Sequence, residues 1–305
     1  MGNTVAVIGG GAAGLMASYK AAVRGAKVIL LERNPNLGRK ILITGKGRCN
    51  LTNIKDIDEF VNNYQNNGRF LYSSLMQFSN TQLIDFFESR GLRVKIERGG
   101  RVFPESNQAS HVVKVLEKAC VDAGVQIKFQ ARVKQLVLEK SGIIGINFYG
   151  PLKSLSCNKV IVATGGISYP STGSTGDGFK LARQAGHKIV ELKPSLVPLV
   201  VKESWVKELQ GLSLKNVELS MYLSGKRLSK KFGEMLFTHY GISGPIVLTL
   251  SRDIVKYIGY KDIQASIDLK PALSEKALDL RLLREFEKHK NKLFKNSLGD
   301  LLPKT

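Results

Sequence analysis

The sequence predicts an α/β fold built on a doubly wound, largely parallel sheet, with a second region richer in strands after it. Three observations carry this reading. A short β-branched run at Thr4–Ile8 breaks into Gly9-Gly10-Gly11 and leads straight into an Ala-rich stretch with helical spacing. A second apolar run at Lys27–Leu31 closes on Glu32, completing a β-α-β unit within about thirty residues. The hydrophobic period then changes to two between residues 125 and 157, and a solid apolar strand returns at 159–163.

The elements follow in order. Residues 4–8 are almost wholly apolar, as a parallel strand buried on both faces requires. The helix over 12–24 carries Leu15, Met16, Tyr19 and Val23 at helical spacing, and Gly25 stops it. Helices are expected at 56–63 and 70–78. Ser79-x-x-Gln82 is a capping box for a helix that Gly91 ends. A short strand over 92–97 precedes a glycine-rich loop. The helix at Ala109–Asp122 places Val112, Val113, Leu116 and Ala119 on one face, with Gly124 as its stop. Four short strands follow at 125–129, 132–139, 143–148 and 152–157, the last three forming an antiparallel β meander. Pro194 and Pro198 punctuate the chain, and strands at 217–223 and 232–238 flank a Ser224-Gly225 turn. Pro245 suits the first turn of a helix running through Leu250. A charged amphipathic helical region closes the chain over 274–302.

The 305 residues carry 43% hydrophobic and 23% charged side chains, which excludes a disordered chain, a collagen-like repeat and a disulfide-stapled miniprotein. Forty-six Lys and Arg against 25 Asp and Glu leave a net charge of +21, shared almost equally between the two halves. A Lys-rich solvated surface accounts for it, because no basic run of five or more and no aromatic-interleaved basic cluster occurs. The field leaves nucleic acid as a weaker second partner. Cys49, Cys120 and Cys157 show neither Cys-x-x-Cys nor zinc-ligand spacing, so no metal is expected. The N-terminus lacks the parts of a signal peptide, and no apolar stretch reaches the ~20 residues needed to span a bilayer. A soluble, cytoplasmic protein is the expectation.

Three loops carry chemistry. Gly9-x-Gly11-x-x-Gly14 opens a helix directly after a strand, with Glu32 beyond the next strand. The first glycine permits the tight turn, the second lets a pyrophosphate approach the backbone, and the third lets helix and sheet pack closely. The helix N-terminus offers unpaired amides to the phosphates, and Glu32 accepts from a ribose. This fingerprint alone does not choose between FAD and NAD, since both present an ADP half. A second small-residue loop, Ala163-Thr164-Gly165-Gly166, leaves the strand at 159–163 at the same sheet edge. The third runs from Gly38 to Asn53 and holds Arg39, Lys40, Lys46 and Arg48 among small residues, a combination suited to phosphate or an anionic flavin edge.

Taken together, these segments resemble one family, the BaiN-like flavoproteins of the aminoacetone oxidase type, NAD(P)/FAD-dependent oxidoreductases. The resemblance rests on residues 7–14, the Gly-x-Gly-Arg-Cys-Asn-Leu-Thr-Asn run at 45–53, Gly-Arg-Val-Phe-Pro at 100–104, the turn at 163–166, and Pro-x-Thr-Gly-Ser-x-Gly-Asp-Gly at 170–178. It continues through Pro-Ser-Leu-Val-Pro-Leu at 194–199 and Phe-Thr-His-Tyr-Gly-Ile-Ser-Gly-Pro at 237–245. It implies a Rossmann-like, glutathione-reductase-type FAD-binding domain over 1–193, its meander at about 125–157, and an inserted, β-rich and helical substrate-side domain over 194–305. It also implies tightly held FAD, with NAD(P)H as a transient co-substrate. Gly9, Gly11, Ala12, Ala13 and Gly14 would line the pyrophosphate and Glu32 the adenosine ribose, with Arg33 among the cofactor residues. Lys40, Thr44, Gly45, Gly47, Arg48 and Asn50 would border the phosphates and flavin. Val133 would meet the adenine, and Ala163, Thr164, Gly165 and Gly166 would close over the ADP half. The return segment that such flavoproteins add after the insertion has no counterpart after Pro198, so the second domain is expected to be incomplete.

No catalytic residue is assigned. Cys49 lies in the flavin-side loop without a resolving cysteine and reads as a packing residue. His239 beside Gly241 reads as structural, His111 as a surface or cap residue, and Asp177 as the cap of the helix starting at Gly178. The function expected is hydride transfer through a bound flavin to a small organic substrate. The alternatives are a basic nucleotide- or RNA-associated flavoprotein, or an inactive remnant.

Overall fold

The computed structural model describes residues 4–64, 67–140, 142–257, 259–260, 262–299 and 301–302. Two compact units divide the chain, Met1–Ile189 and Val190–Thr305.

The first unit opens with β1 (Thr4–Ile8), α1 (Ala12–Ala22) and β2 (Lys27–Leu31), followed by α2 (Arg39–Ile43), β3 (Thr52–Asn53), α3 (Ile57–Asn63), α4 (Tyr72–Gln77) and α5 (Asn80–Glu88). Next come β4 (Val94–Glu97), β5 (Arg101–Pro104), α6 (Ala109–Asp122), β6 (Gln126–Lys128), β7 (Val133–Glu139), β8 (Gly142–Phe148), β9 (Ser154–Ser156), β10 (Lys159–Val162) and α7 (Asp177–Gln184). Among the described residues the main sheet has the order β10-β1-β2-β6, with Ile8 opposite both Leu31 and Val162, and every pair is parallel.

The alternation of side chains explains why β1 and β2 read as solid apolar runs. Val5, Val7, Val28 and Leu30 point to one face and pack with Leu15 of α1 and Leu116 and Cys120 of α6. Ala6, Ile8, Ile29 and Leu31 point to the other and pack with Val133, Leu136, Ile146 and Phe148 of the meander and Leu181 of α7. Both faces are covered, so neither strand has a polar side. Burying each Val, Leu, Ile or Phe side chain among them contributes about 1.5–3 kcal/mol.

The meander β7-β8-β9 is antiparallel, as the period of two predicts. The strand beginning at Val125 belongs instead to the main sheet beside β2. The glycine-rich loop expected after β4 contains β5, which pairs with β4 across a turn where Gly99 and Gly100 have φ of 80° and 73°. The helix expected over 70–78 is a 3₁₀ turn at Gly68–Leu71 followed by α4. Helix α2, inside the 38–53 loop, has only five residues and shows no periodicity.

The second unit holds β11 (Leu199–Val200), β12 (Ser213–Leu223), β13 (Lys226–Thr238), β14 (Gly241–Ser243), α8 (Pro245–Ile254), β15 (Ile263–Asp268), α9 (Glu275–Lys288) and α10 (Phe294–Ser297). Its antiparallel sheet has the order β11-β14-β13-β12-β15. Residues Ser224 and Gly225, both at positive φ, turn β12 into β13 as a tight hairpin demands. Helix α8 lays Ile246, Val247, Leu250 and Ile254 onto Leu219, Met235 and Phe237 of the sheet. The closing helical region is interrupted between α9 and α10.

Candidate functional site

A cavity of about 860 Å³ lies in the first unit where β1 and β2 end. That is within the size of pockets that bury a cofactor, about 300–1,000 Å³. The glycine loop builds its floor. Gly9 has φ of 108°, and a Cβ there would sit 2.5 Å from the Ala163 carbonyl oxygen; a Cβ on Gly14 would overlap the Gly9 carbonyl oxygen. Those two glycines lock β1, α1 and the 163–166 loop into close contact. Gly11 differs: its φ is −85°, and a Cβ there would meet nothing within 4 Å. Its backbone is bare toward the cavity, which is what approach by a ligand needs.

Helix α1 starts at this point with no side-chain cap and no acid in its first turn. The first amides of a helix have no partner within it, and they carry the positive end of its dipole. Ala12 and Ala13, which supply them, line the cavity. The arrangement is a ready anion site.

Glu32 is 7% exposed at the end of β2. Its Oε2 accepts from the Gly10 amide at 2.7 Å, and its Oε1 accepts from the Asn34 amide at 2.8 Å and Nδ2 at 2.7 Å. Three of about four acceptor positions on the carboxylate are therefore taken by the protein. Glu32 fixes the glycine loop as well as facing the cavity, a second role that the sequence pattern does not reveal.

The lysine of α2 ties the opposite wall together. Lys40 Nζ donates to the Ser168 carbonyl at 2.8 Å and to Ser174 Oγ at 2.7 Å, and lines the cavity with Thr44 and Asn50. Thr44 Oγ1 donates to the Ile41 carbonyl at 2.7 Å. Arg33, Val133, Ala163, Thr164 and Gly165 also line it.

Gly14, Gly45, Gly47, Arg48 and Gly166 are not among the lining residues. Gly14 packs beneath the loop. Arg48 Nη1 donates to Glu97 Oε1 at 2.7 Å, and its guanidinium lies 4.1 Å over the Phe103 ring. A Cβ on Gly45 would press on that same ring. These residues shape the loop from behind. The loop is wound left-handed, with φ of 56° at Gly45, 59° at Lys46, 83° at Gly47 and 62° at Cys49, a conformation costly for Lys46 and Cys49. The Arg48 hydrogen bond, with the charges of Arg48, Lys95 and Arg101, holds the Glu97 carboxyl below the usual range.

Cys49 is buried, and burial pushes its thiol pKa up despite the hydrogen bond with Thr44, so it is not an activated thiolate. Asp177 corrects one expectation. The cap of α7 is Gly176, at φ of 80° and without a side-chain cap bond, while Asp177 is the first helical residue and turns its carboxylate to Arg132 and Arg33. Spacing gave no sign of Arg132, Asn34 or Ser174, whose positions depend on distant loops. No His, Cys, Asp and Glu cluster suited to a metal occurs among the described residues. No helix of the described residues is long and apolar enough to cross a membrane.

A parallel sheet with a glycine loop, an uncapped helix and an acid around one large cavity defines a dinucleotide-binding domain of the Rossmann class. The chain belongs to the HI0933-like family of FAD-dependent oxidoreductases: the family profile described as "HI0933-like protein Rossmann domain" matches residues 3–259. It is 37% identical over 276 residues to a 3-dehydro-bile acid delta(4,6)-reductase from Clostridium scindens, covering 89% of this chain and 65% of that protein. It is 30% identical over 298 residues to a ribosomal RNA dihydrouridine synthase from Escherichia coli, covering 98% of this chain and 70% of that one. The chain thus spans about two thirds of the length of these relatives. Its fold is similar to an open-conformation flavocytochrome c3 fumarate reductase, with a TM-score of 0.52 at 20% identity, over 70% of this chain and 47% of that one.

Proposed function

We propose that the protein is a cytoplasmic FAD-dependent oxidoreductase that reduces a carbon–carbon double bond conjugated to a carbonyl in a small organic substrate, with NAD(P)H as donor. The observation that carries it is the cavity in which Gly11 is bare and the first amides of α1 are uncapped, beside the buried carboxylate of Glu32. The residues fit an ADP-bearing cofactor: an anion is matched by amides, a diol by a carboxylate and a flat ring system by apolar walls at Val133 and Leu181. Gly9, Gly11, Ala12 and Ala13 would hold the pyrophosphate. Glu32 and Arg33 would hold the ribose end, Val133 the adenine, and Lys40, Thr44 and Asn50 the region toward the flavin, with Ala163, Thr164 and Gly165 closing over the ADP half. Gly14, Gly45, Gly47 and Arg48 act on the site by shaping its loops.

FAD, when bound, supplies hydride transfer between donor and substrate. This chain's own residues bind and orient it and exclude water with their apolar lining. Both relatives' names describe a reduced product: a bile acid whose delta(4,6) unsaturation is removed, and a dihydro form of uridine. That shared chemistry supports the substrate class. Three free, buried cysteines are compatible with a reducing compartment.

The test is gel filtration of the chain after incubation with FAD, followed by its visible spectrum. Co-elution of a two-banded flavin spectrum is expected, and elution of colourless protein with all flavin free would overturn the reading. A second reading, with RNA as the molecule carrying the reducible ring, is favoured by the +21 charge and the name of the Escherichia coli relative.

A further inference from the structure

One group of charged side chains at the cavity wall is not explained by the fingerprint. Arg33 follows Glu32 at the end of β2, Arg132 precedes Val133 at the start of β7, and Asp177 is the first residue of α7. They come from three distant segments yet meet. Arg132 Nε donates to Asp177 Oδ2 at 3.0 Å and its Nη2 to Oδ1 at 3.3 Å. From the other side Arg33 Nη1 donates to Asp177 Oδ2 at 3.3 Å and to Thr175 Oγ1 at 2.6 Å. All three charged residues line the cavity.

The loop leading to Asp177 is pressed onto the same place. A Cβ on Gly173 would lie 2.7 Å from Asn34 Nδ2, and a Cβ on Gly178 would overlap Thr164 Oγ1. Asn34 in turn donates to Glu32. The Asp177 side chain is only 17% exposed, whereas those of Arg33 and Arg132 are 28% and 41% exposed. The carboxylate is thus the inner member, and each guanidinium retains an outward edge. Arg132 also lies 4.8 Å over the Tyr149 ring, which restricts its plane. Bidentate pairing of this kind fixes direction as well as contributing energy.

We propose that Asp177 is the positioning residue for the adenosine end of the cofactor site, its carboxylate holding Arg33 and Arg132 at the wall beside Glu32 and Val133. This rests on the dinucleotide reading above. The carboxylate makes no claim on the ligand itself. Without it the two cations repel and swing outward, and the adenosine pocket loses two fixed walls. The flavin end, bordered by Lys40, Thr44 and Asn50, touches the loop before Asp177 only through Lys40, at Ser168 and Ser174, and not through the Asp177 carboxylate.

The experiment compares the full chain with Asp177→Asn, and with Arg132→Gln as a second variant that leaves the Arg33–Asp177 pair in place. Calorimetric titrations use two probes, ADP for the adenosine end and FMN for the flavin end, and thermal melts of each protein without ligand give stability. ADP affinity is expected to fall about tenfold in both variants, as loss of one charge-assisted hydrogen bond between a displaced guanidinium and the ligand implies, with FMN affinity kept within about twofold. Equal ADP affinity in wild type and variants overturns the inference while leaving the dinucleotide reading intact. A parallel loss for both probes also overturns it, since that is what a merely structural ion pair would give. No ADP binding by the wild-type chain overturns both.

Discussion

Gly11 and Gly14 belong to one fingerprint but answer to different physical demands. A methyl group on Gly14 would occupy the space of the Gly9 carbonyl oxygen, backbone against backbone, so nothing flexible can yield. Gly14→Ala is therefore expected to destabilise the first unit by about 1–3 kcal/mol, the cost of overpacking a tight core, and to lower its Tm in thermal melts. Gly11→Ala meets open space at an ordinary negative φ, so its melt should stay within about 0.5 kcal/mol of wild type. Its methyl group, however, stands where a pyrophosphate must approach, so FAD affinity measured by flavin fluorescence should fall at least about tenfold. Normal FAD binding by Gly11→Ala would remove the glycine loop from the site.

Asp177 sets a pH dependence at the same scale. Burial raises its pKa, but the Arg132 hydrogen bond and the charges of Arg132, Arg33 and Lys180 outweigh burial and hold it below the ordinary value. A carboxylate with a depressed folded-state pKa adds stability that is present in full above the unfolded-state pKa, about 3.9, and fades as pH falls through the folded-state value. Urea melts of wild type and Asp177→Asn should differ most at neutral pH and begin to converge as the pH falls below about 3.9. A gap that persists unchanged at pH 2.5 would mean that the ion pairs are not its source.

At the scale of elements, caps and periods account for most of what could be read in advance. The Ser79 side chain accepts from the Gln82 amide, and the Gln82 side chain accepts from the Ser79 amide, so α5 begins where the four-residue pattern places it. Ser79→Ala is expected to cost about 1 kcal/mol in chemical denaturation. Strands β1 and β2 and helix α6 were legible for a related reason: burial writes a pattern into the sequence, an unbroken apolar run where both faces of a strand are covered and a helical period where one face of a helix is. Strand β5 and helix α2 were not. Both are short and lie among glycines, where the pairing of β5 with β3 and β4 and the packing of α2 on α6, not local preference, decide the conformation. Asp177 shows the same limit in one side chain, since its spacing suits a cap and a tertiary ion pair takes it instead.

The whole molecule has two scales of electrostatics, and only one of them belongs to the cavity. The glycine loop, Glu32 and the family motifs were legible as a set because each motif is a contiguous stretch. The meeting of residues 33, 132 and 177 was not, because nothing local links them. The net +21 is a global quantity that composition reveals at once but cannot assign to a partner. Field strength alone predicts weak retention of any polyanion at low salt. That retention must weaken steeply as counterions compete, with a slope in log affinity against log salt of about −0.7 per neutralised phosphate for a single strand. Structured ribosomal RNA fragments and heparin, titrated with the protein between about 50 and 200 mM salt, separate the two readings. If the charge is only a solvated surface, both are released together and RNA sequence makes no difference. Retention of one RNA fragment at the higher salt, after heparin has been lost, would move RNA from a weak partner to the substrate side of the reaction.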